Sequence, residues 1–289
     1  MNNEQTYLNL LRKVLEEGEE REDRTGVGTI SLFSPPECRY DLREGFPLLT
    51  TKSLAGKRWE GIVRELLWFL SGSTNCKDLE KYNIPIWTAW SNPDGNLGPI
   101  YSKQWRAWNT YEPTRVYGSN IPDGYLFKKD IPIDQIANLV KGLKEDPFSR
   151  RHIVSAWNVG ELDQMNLPAC HFAWQCYVTT KGELDLKLTA RSNDSFLGYP
   201  YNLASYSLLL TMLAQVTNLT PRYFILSTGD THAYKNHLDQ IKEQLSREPR
   251  NPPRLVLNSS IKNIDDFTYD DIRLEDYNPW PTIKAPVAV

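Results

Sequence analysis

The chain has 289 residues, 40% of them hydrophobic and 24% charged, and its formal net charge at pH 7 is −3. This composition is typical of a globular protein and argues against a general binder of nucleic acid or membrane surfaces, so an anionic ligand would need a local cluster of arginine or lysine. Four cysteines are too few for a disulfide scaffold, and no apolar run reaches the roughly 18 residues that a membrane span needs. The first residues lack signal-peptide features, so we expect a reducing, cytoplasmic compartment.

Two helices are predicted in the first part of the chain. Leu8, Leu11 and Leu15 recur at helical spacing, which predicts an amphipathic helix that ends near Gly18. The apolar segment IVRELLWFLSGSTN predicts a buried helix that is stopped by Gly72.

Glu65 is the unusual residue of the second helix, because it is a carboxylate among apolar neighbours. One interpretation is that Glu65 emerges on a polar stripe of the helix. The other is that the carboxyl is held in an apolar pocket, where burial shifts its pKa for proton chemistry.

The remaining elements follow a change of pattern along the chain. Residues 91–133 are rich in Pro, Gly, Asn and Tyr and predict loops, whereas from residue 152 HIVSAWNV predicts a strand and CYVTTKGELDLKLTA a hairpin turning at Lys181-Gly182. NLASYSLLLTMLAQVTN predicts a core helix, residues 232–247 predict an amphipathic helix, and RLVLN predicts a last strand before an extended tail. Helices and strands are intermingled without regular alternation, which favours an α+β fold.

Cys170, in LPACHFAWQCYV, is the first candidate for chemistry. An isolated cysteine is usually a small buried hydrophobe, and a catalytic thiolate needs a nearby cation or hydrogen-bond donors. The adjacent His171 gives little support for a cysteine–histidine pair, because neighbouring residues of a strand point to opposite faces. Zinc-ligand spacing is absent around Cys38 and Cys76.

Arginines beside turn residues favour a chemical role for Cys170 over a structural one. Arg24 lies in DRTGVGT, Arg150 and Arg151 lie in DPFSRRHIV, and Arg191 opens RSNDSFLGYPYN. Each could be a solvated surface charge. Together they are what a phosphate or carboxylate site needs, and such a cluster would also lower the pKa of a thiol.

Short polar side chains are concentrated in two further motifs. Asn202, near the end of RSNDSFLGYPYN, offers both a donor and an acceptor and could read the carbonyl and ring N–H of an oxopyrimidine. In GDTHAYKNH, His232 and Tyr234 are two positions apart, so both could reach one hydroxyl. Turn formation and helix capping are the structural alternatives for both motifs.

Taken together, the motifs resemble thymidylate synthase, the folate-dependent family that methylates dUMP. The resemblance runs in the family's order through DRTGVGT, FPLLTTK, RELLWFLSGSTN, LGPIYSKQWRAW, SRRHIVSAWN, PACH, RSND, GDTHAYKNH, QLSREP and IKAPVAV, which covers nearly the whole chain. One such motif would be weak evidence, whereas ten in order make coincidence a poor explanation.

The resemblance implies a fold and a reaction. The fold would be a single α+β domain, 1–289, in which a large mixed β-sheet packs with helices and two copies join sheet to sheet in an obligate homodimer. The reaction would be reductive methylation of dUMP to dTMP. In it, 5,10-methylenetetrahydrofolate would supply the one-carbon unit and hydride and leave as dihydrofolate. No metal, membrane or nucleic acid is implied.

The resemblance also implies roles for individual residues. Cys170 would add to ring carbon six of dUMP, and Asn202 would read the uracil edge. Water and proton transfers would be organised by Glu65, Tyr101 and His171. The phosphate and sugar of dUMP would be held by Arg24, Arg191, Ser192, His232 and Tyr234, with Arg150 and Arg151 reaching in from a partner subunit. The folate would contact Lys52, Trp87, Trp90, Asp194, Gly198, Ala288 and Val289. Of these, Asp194 would also lie beside the nucleotide.

The sequence departs from the family's usual pattern at several positions. Ala169 precedes the nucleophile where Pro is usual, Ala190 stands where Gln is usual, and Asn193 stands where many members carry Cys. The segment after Lys52 is about three residues longer than usual, and residues at about 109–131 form an extended surface loop.

Two alternatives to the synthase remain open. A pyrimidine hydroxymethylase of the same superfamily would share the cysteine attack but capture the methylene with water. Asn202 favours uracil, since a cytosine-directed relative is expected to carry Asp there, and Trp87 and the complete tail favour exclusion of water. A non-catalytic nucleotide- or RNA-binding protein would not need Cys170, Glu65 and Tyr101 together.

Overall fold

The computed structural model describes residues 3–113, 126–128 and 131–287. Within these ranges the α-helices are α1 (Asn3–Glu17), α2 (Lys57–Ser71), α3 (Lys77–Glu80), α4 (Tyr101–Arg106), α5 (Gln135–Glu145), α6 (Gly198–Thr217) and α7 (Leu238–Leu245). The strands are β1 (Glu19–Arg21), β2 (Thr29–Phe33), β3 (Cys38–Asp41), β4 (Tyr111–Pro113), β5 (Leu126–Lys128), β6 (Ile153–Ser155), β7 (His171–Val178), β8 (Glu183–Asp194), β9 (Thr220–Tyr234), β10 (Arg254–Leu257) and β11 (Ile272–Glu275).

One large mixed sheet organises the described residues. Its order is β1-β2-β9-β8-β7-β6, and β3 also pairs with β9. β8 and β9 run parallel, whereas the other pairs in this sheet are antiparallel. Two separate ribbons join β10 to β11 and β4 to β5. The expected α+β fold, a mixed sheet packed with helices, is confirmed.

Helix α6 is apolar nearly all round because it is covered on both sides. It packs on β8 and β9 and also contacts α2 and α5. Leu208, Leu209 and Leu210 are completely buried, and burial of each such side chain contributes about 2 kcal/mol. The predicted core helix is therefore confirmed. Across the described ranges, α6 included, the structure has no helix both long and apolar enough to cross a membrane.

The other confirmed elements end where local chemistry predicts. Helix α1 stops just before Gly18, and α2 stops at Gly72, whose left-handed φ of 79° lets its N–H donate to the carbonyl of Phe69. The β7–β8 hairpin turns through Lys181-Gly182, and Gly182 has a φ of 73° that suits glycine.

Four expectations about secondary structure need correction. The predicted loop at 91–133 contains α4, because Tyr101 and Trp105, four positions apart, are both buried. Residues 232–234 continue β9, because Tyr234 pairs with Thr29 of β2, and α7 covers only 238–245. Within HIVSAWNV only Ile153–Ser155 form a strand, β6. The strand in RLVLN, β10, is not the last one, because β11 follows it and pairs with it. Most of the predicted loop at about 109–131 lies outside the described residues.

One face of the sheet near β6 carries exposed apolar side chains. Tyr177 is 63% exposed and Ile153 is 51% exposed. Ile153 pairs directly with Gln175, which places it on the same face as Gln175 and Tyr177. Cys176 and Trp174 point to the opposite, buried face.

Candidate active site

Cys170 lies immediately before β7, where the main chain is held on both sides. Its N–H donates to the Tyr101 hydroxyl at 2.7 Å, and its carbonyl accepts from the Arg191 N–H of β8 at 2.8 Å. The side chain is partly exposed, whereas Cys38, Cys76 and Cys176 are buried. Cys170 is therefore the cysteine that a ligand can reach.

Arg191 is the cation that lies beside this thiol. Its Nη2 is 3.7 Å from Sγ of Cys170, and the same guanidinium donates to the main-chain carbonyls of Pro168 and Ala169 at 2.9 and 3.0 Å. The guanidinium carbon also lies 5.6 Å from the centroid of the Trp157 ring. Ala169 thus offers a carbonyl to Arg191, while Ala190 is buried opposite His171 in the β7–β8 pairing.

Burial and the two nearby arginines act in opposite directions on the Cys170 thiol. Burial raises its pKa, and Arg191 and Arg24 lower it by a smaller amount, so the net pKa is above the ordinary value. The expected direction of the arginine effect is confirmed, but desolvation is the larger effect on the thiol pKa. Burial also raises the pKa of Cys176, which packs in the core.

His171 is a neutral imidazole between two tyrosines. Burial lowers its pKa to about 3, against a smaller opposing effect of its own main chain. Its ring stacks on Tyr101 with centroids 4.1 Å apart and planes 17° apart, and its Nδ1 lies 2.6 Å from the Tyr206 hydroxyl. The pairing of β7 with β8 shifts register just after His171, so the simple alternation of a strand does not apply at this point.

Tyr101 contacts the Cys170 main chain, and Glu65, on α2, contacts Trp87. The indole N–H of Trp87 donates to Oε1 of Glu65 at 2.7 Å, and burial raises the pKa of this carboxyl to about 7. The structure therefore agrees with the apolar-pocket interpretation of Glu65. Tyr101 is 2% exposed, and burial, with a further effect of Cys170, raises its pKa, so the phenol keeps its proton at neutral pH.

The remaining arginines lie in exposed turns. Arg24 is in the β1–β2 turn, which Asp23 closes by accepting the N–H groups of Thr25 and Gly28 at 3.0 and 2.8 Å. Arg150 and Arg151 directly precede β6 and are exposed. Neither of these two forms an ion pair with another residue that the structure describes.

Polar side chains that could bind a ligand lie along β8 and β9. Ser192 follows Arg191 and is partly exposed. His232 and Tyr234 have ring centroids 5.2 Å apart, and Nδ1 of His232 lies 3.0 Å from Oδ1 of Asp230. Because Asp230 occupies Nδ1, Nε2 is the nitrogen that His232 can offer to a ligand.

The turn into α6 presents one carboxylate and one amide. Oδ1 of Asp194 accepts the N–H groups of Phe196 and Leu197 at 2.9 and 3.1 Å, so this aspartate caps the turn into α6. Its Oδ2 accepts no hydrogen bond from the described residues. Asn202 is partly exposed near the N-terminal end of α6, which begins at Gly198. Within the described ranges the Asn202 amide makes no side-chain hydrogen bond, so it remains able to bind a ligand.

The residues expected to bind folate differ in burial and in their contacts. Trp87 and Trp90 have ring centroids 6.1 Å apart. Lys52 is only 3% exposed; its Nζ donates to the Phe196 carbonyl at 2.5 Å, and burial lowers its pKa to about 7. Ala288 and Val289 lie outside the described residues.

The sequence did not identify three residues that contact the site or the tail: Trp157, Tyr206 and His237. Tyr206 lies four residues after Asn202 on α6, a helical spacing that could have identified it. His237 is completely buried, and its Nε2–H donates to the Pro286 carbonyl in the tail at 2.7 Å. Nothing local in the sequence marks that contact, because 49 positions separate the two residues.

The described residues contain no group of three or more His, Cys, Asp or Glu side chains arranged to hold a metal ion. The fold and the site together define an α+β protein with a partly exposed cysteine at the N-terminal end of an interior strand of a mixed sheet, flanked by a fixed arginine and a neutral histidine. The chain belongs to the thymidylate synthase family, whose family model, described as "Thymidylate synthase", matches residues 5–289. That family is folate-dependent and comprises enzymes that methylate dUMP, and it also includes hydroxymethylases.

Proposed function

We propose that the protein is a thymidylate synthase that converts dUMP to dTMP, with 5,10-methylenetetrahydrofolate as the second substrate. The observation that carries the proposal is the contact between the accessible Cys170 thiol and Arg191, which is anchored on two main-chain carbonyls. The folate supplies the methylene and the hydride.

Cys170 acts as the nucleophile at ring carbon six. Because burial raises the pKa of the thiol, we expect sulfur to pass its proton to a bound water as it attacks, while Arg191 and Arg24 stabilise the negative charge that develops on sulfur. The electron pair of the ring double bond then moves toward the ring carbonyl, so a hydrogen-bond donor near that oxygen lowers the barrier. His171, neutral and next to the nucleophile, is suited to this task.

Glu65 and Tyr101 serve the proton transfers. A carboxyl with a pKa of about 7 can both accept and donate a proton near neutral pH, which is the requirement for a shuttle. Tyr101 retains its proton and is hydrogen-bonded to the nucleophile's main chain, so it acts through a bound water when it helps to remove the proton from ring carbon five.

Asn202 reads the base, and two groups of residues hold the rest of dUMP. An amide can donate to the ring carbonyl and accept from the ring N–H of uracil, whereas cytosine presents the reverse pattern. Arg24, Arg191 and Ser192 bind the phosphate, and His232 and Tyr234 bind the sugar hydroxyl.

The folate fits the surfaces that remain. Trp87 and Trp90 provide aromatic faces, Asp194 offers Oδ2, and Lys52 and Gly198 lie near Asp194. The tail through Ala288 and Val289 closes over both ligands and excludes water.

We further propose one catalytic domain over 1–289, active as a homodimer in the cytoplasm. The exposed apolar face at Ile153 and Tyr177 supports burial against a second copy. Arg150 and Arg151, at the start of the neighbouring strand, would then complete the phosphate site of the other protomer.

The test supplies dUMP and methylenetetrahydrofolate, follows dihydrofolate by absorbance and identifies the nucleotide by mass. Methylated dUMP with an equal amount of dihydrofolate is the expected result. Hydroxymethyl-dUMP with tetrahydrofolate would identify a hydroxymethylase instead. Nucleotide binding without any turnover would leave a non-catalytic binding protein.

A further inference from the structure

Tyr206 contacts the candidate site through a hydrogen bond with His171. It lies on α6, one helical turn after Asn202, and its hydroxyl is 2.6 Å from Nδ1 of His171. The role of this contact in catalysis rests on the function proposed above, whereas the position of the hydrogen on the His171 ring does not.

The Tyr206 phenol is enclosed and keeps its proton. The side chain is 1% exposed and its ring packs against Trp105, Trp174 and Phe224. Burial raises the pKa of the phenol, so O–H is its state at neutral pH. An enclosed O–H without an acceptor is costly.

Nδ1 of His171 is the acceptor that the fold supplies. Among the residues that the structure describes, the Tyr206 hydroxyl has no other hydrogen-bond partner. His171 is neutral, so it carries one ring hydrogen. If Tyr206 donates to Nδ1, that hydrogen must be on Nε2. The reverse arrangement would leave the phenol hydrogen enclosed with no acceptor.

We propose that Tyr206 is a positioning residue that holds His171 as the Nε2–H tautomer, so that His171 presents a hydrogen-bond donor to the pyrimidine carbonyl or to its bound water. Stacking on Tyr101 fixes the plane of the ring, and Tyr206 fixes which nitrogen carries the hydrogen. A bare Nε2 would face the negative charge that develops on the carbonyl oxygen and would repel it.

The position of Tyr206 also couples this donor to base recognition. Asn202 and Tyr206 are neighbours on one face of a helix that is packed on both sides. The amide that reads the base and the hydroxyl that sets the histidine tautomer are therefore carried by the same rigid element.

The first experiment is NMR on the intact protein labelled with ¹⁵N-histidine, using long-range ¹H–¹⁵N correlations. The chain has four histidines, and His171→Gln identifies the signals of His171 by their loss. We expect Nε2 to show the shift of a protonated nitrogen and Nδ1 that of a bare, hydrogen-bonded nitrogen. A protonated Nδ1 in the unaltered protein would overturn the proposal, and this test remains valid even if variants of Tyr206 fail to fold.

The second experiment compares Tyr206→Phe with Tyr40→Phe. Tyr40 is a matched control, because its enclosed hydroxyl is paired at 2.8 Å with Tyr199 and does not contact His171. Tyr206→Phe should shift both His171 nitrogens toward an average of the two tautomers, whereas Tyr40→Phe should leave them unchanged. Retention of the original His171 shifts in Tyr206→Phe would refute the proposal.

The kinetic consequence follows from the loss of one oriented donor. Tyr206→Phe should lower kcat about threefold to tenfold and leave KM for dUMP within about twofold. Equal kcat values for Tyr206→Phe and Tyr40→Phe would refute the catalytic part. An unaltered protein that shows the expected tautomer but no turnover would refute the proposed function and leave the tautomer assignment standing.

Discussion

Nη2 of Arg191 lies 3.7 Å from Sγ of Cys170 while the same guanidinium is hydrogen-bonded to the carbonyls of Pro168 and Ala169. The two main-chain contacts fix the direction of the cation before any ligand arrives. Because the Cys170 main chain is also held by Arg191 and Tyr101, the thiol and its cation form one rigid unit. Such preorganised charge is most effective where burial makes the developing anion costly.

Arg191→Lys should therefore slow the reaction and raise the thiol pKa further. One ammonium cannot reproduce the planar fork that reaches both carbonyls and the sulfur. We expect kcat/KM for dUMP to fall about 10- to 100-fold, the value of one charge-assisted contact. Alkylation of Cys170 across pH reports the pKa directly, because the other three cysteines are buried. An unchanged alkylation profile would show that Arg191 does not stabilise the thiolate.

Cys170→Ser should abolish turnover without unfolding the protein, and Cys176→Ala is the matched control. Cys176 is 1% exposed, so its truncation should cost about 1 kcal/mol of stability and leave the active site intact. Turnover and thermal unfolding of both variants provide the check. Normal turnover in Cys170→Ser would remove the nucleophile from the mechanism.

Glu65 should make the protein less stable as pH rises from about 4.5 to about 7. The folded pKa is raised from 4.5 to about 7 by burial, so in this window the unfolded chain releases a proton that the folded chain retains. Glu65→Gln removes that penalty and should be more stable than the original protein by up to about 3 kcal/mol at pH 8, with the difference disappearing below about pH 4.5. It should also be much less active.

Glu60 offers a control for this prediction on the same helix. Hydrogen bonds from Lys57 and Arg64 lower the pKa of Glu60, so this partly exposed carboxylate contributes stability above its unfolded pKa and loses it as pH falls. Glu60→Gln should therefore be slightly less stable than the original protein at pH 8. Urea unfolding at several pH values measures both variants, and equal stability of Glu65→Gln and the original protein at pH 8 would contradict the buried-carboxyl interpretation.

The sequence predicted the parts of the site that depend on local pattern. Cys170 stood out by its motif, and the core helix and hairpin followed from apolar periodicity. The net direction of the Cys170 pKa could not be predicted, because it depends on how deeply the folded protein desolvates the sulfur. The same limit applied to β9, whose last residues are strand only because β2 lies beside them.

Contacts between residues far apart in the sequence could not be predicted either. The hydrogen bonds of Tyr206 with His171 and of His237 with Pro286 join residues 35 and 49 positions apart. Each partner alone is an ordinary core residue or an ordinary tail residue. Only the packing of α6 against β7, and of the tail against the end of β9, gives these residues a relation to the site.

Asn202→Asp should change base preference from dUMP toward dCMP. A carboxyl cannot donate to the uracil carbonyl when it is ionised, and it suits the amino group of cytosine. We expect kcat/KM for dUMP to fall about 100-fold while binding of dCMP improves. Asn218→Asp, at the exposed C-terminal end of the same helix, should leave the preference unchanged. Unaltered discrimination in Asn202→Asp would mean that another group reads the base.

Mixing two inactive variants should restore activity if the proposed dimer is correct. Cys170→Ser lacks the nucleophile, and a double variant, Arg150→Ala with Arg151→Ala, lacks the arginines that complete the neighbouring phosphate site. A mixed dimer has one site with the nucleophile of one protomer and the arginines of the other. After joint refolding, activity should rise to about a quarter of normal, since half of the random dimers are mixed and each has one complete site. No recovery would place the arginines in their own protomer's site or outside it.

His237→Phe should loosen the tail without removing an aromatic ring from the core. The completely buried His237 donates through Nε2 to the Pro286 carbonyl at 2.7 Å, so the tail is held by a group that phenylalanine lacks. If the tail closes over the folate, KM for methylenetetrahydrofolate should rise about threefold to tenfold, while KM for dUMP changes less than about twofold. Cleavage by trypsin after Lys284 should also become faster.

His152→Phe is the matched control for this variant. Nε2 of His152 donates in the same way to a main-chain carbonyl, that of Asp146 at 3.0 Å, and the ring is also buried. Its replacement should lower thermal stability to a similar extent but leave both Michaelis constants and the cleavage at Lys284 unchanged. If His152→Phe and His237→Phe affect the tail equally, the effect comes from a general loss of stability, and the His237–Pro286 contact has no specific role in closure.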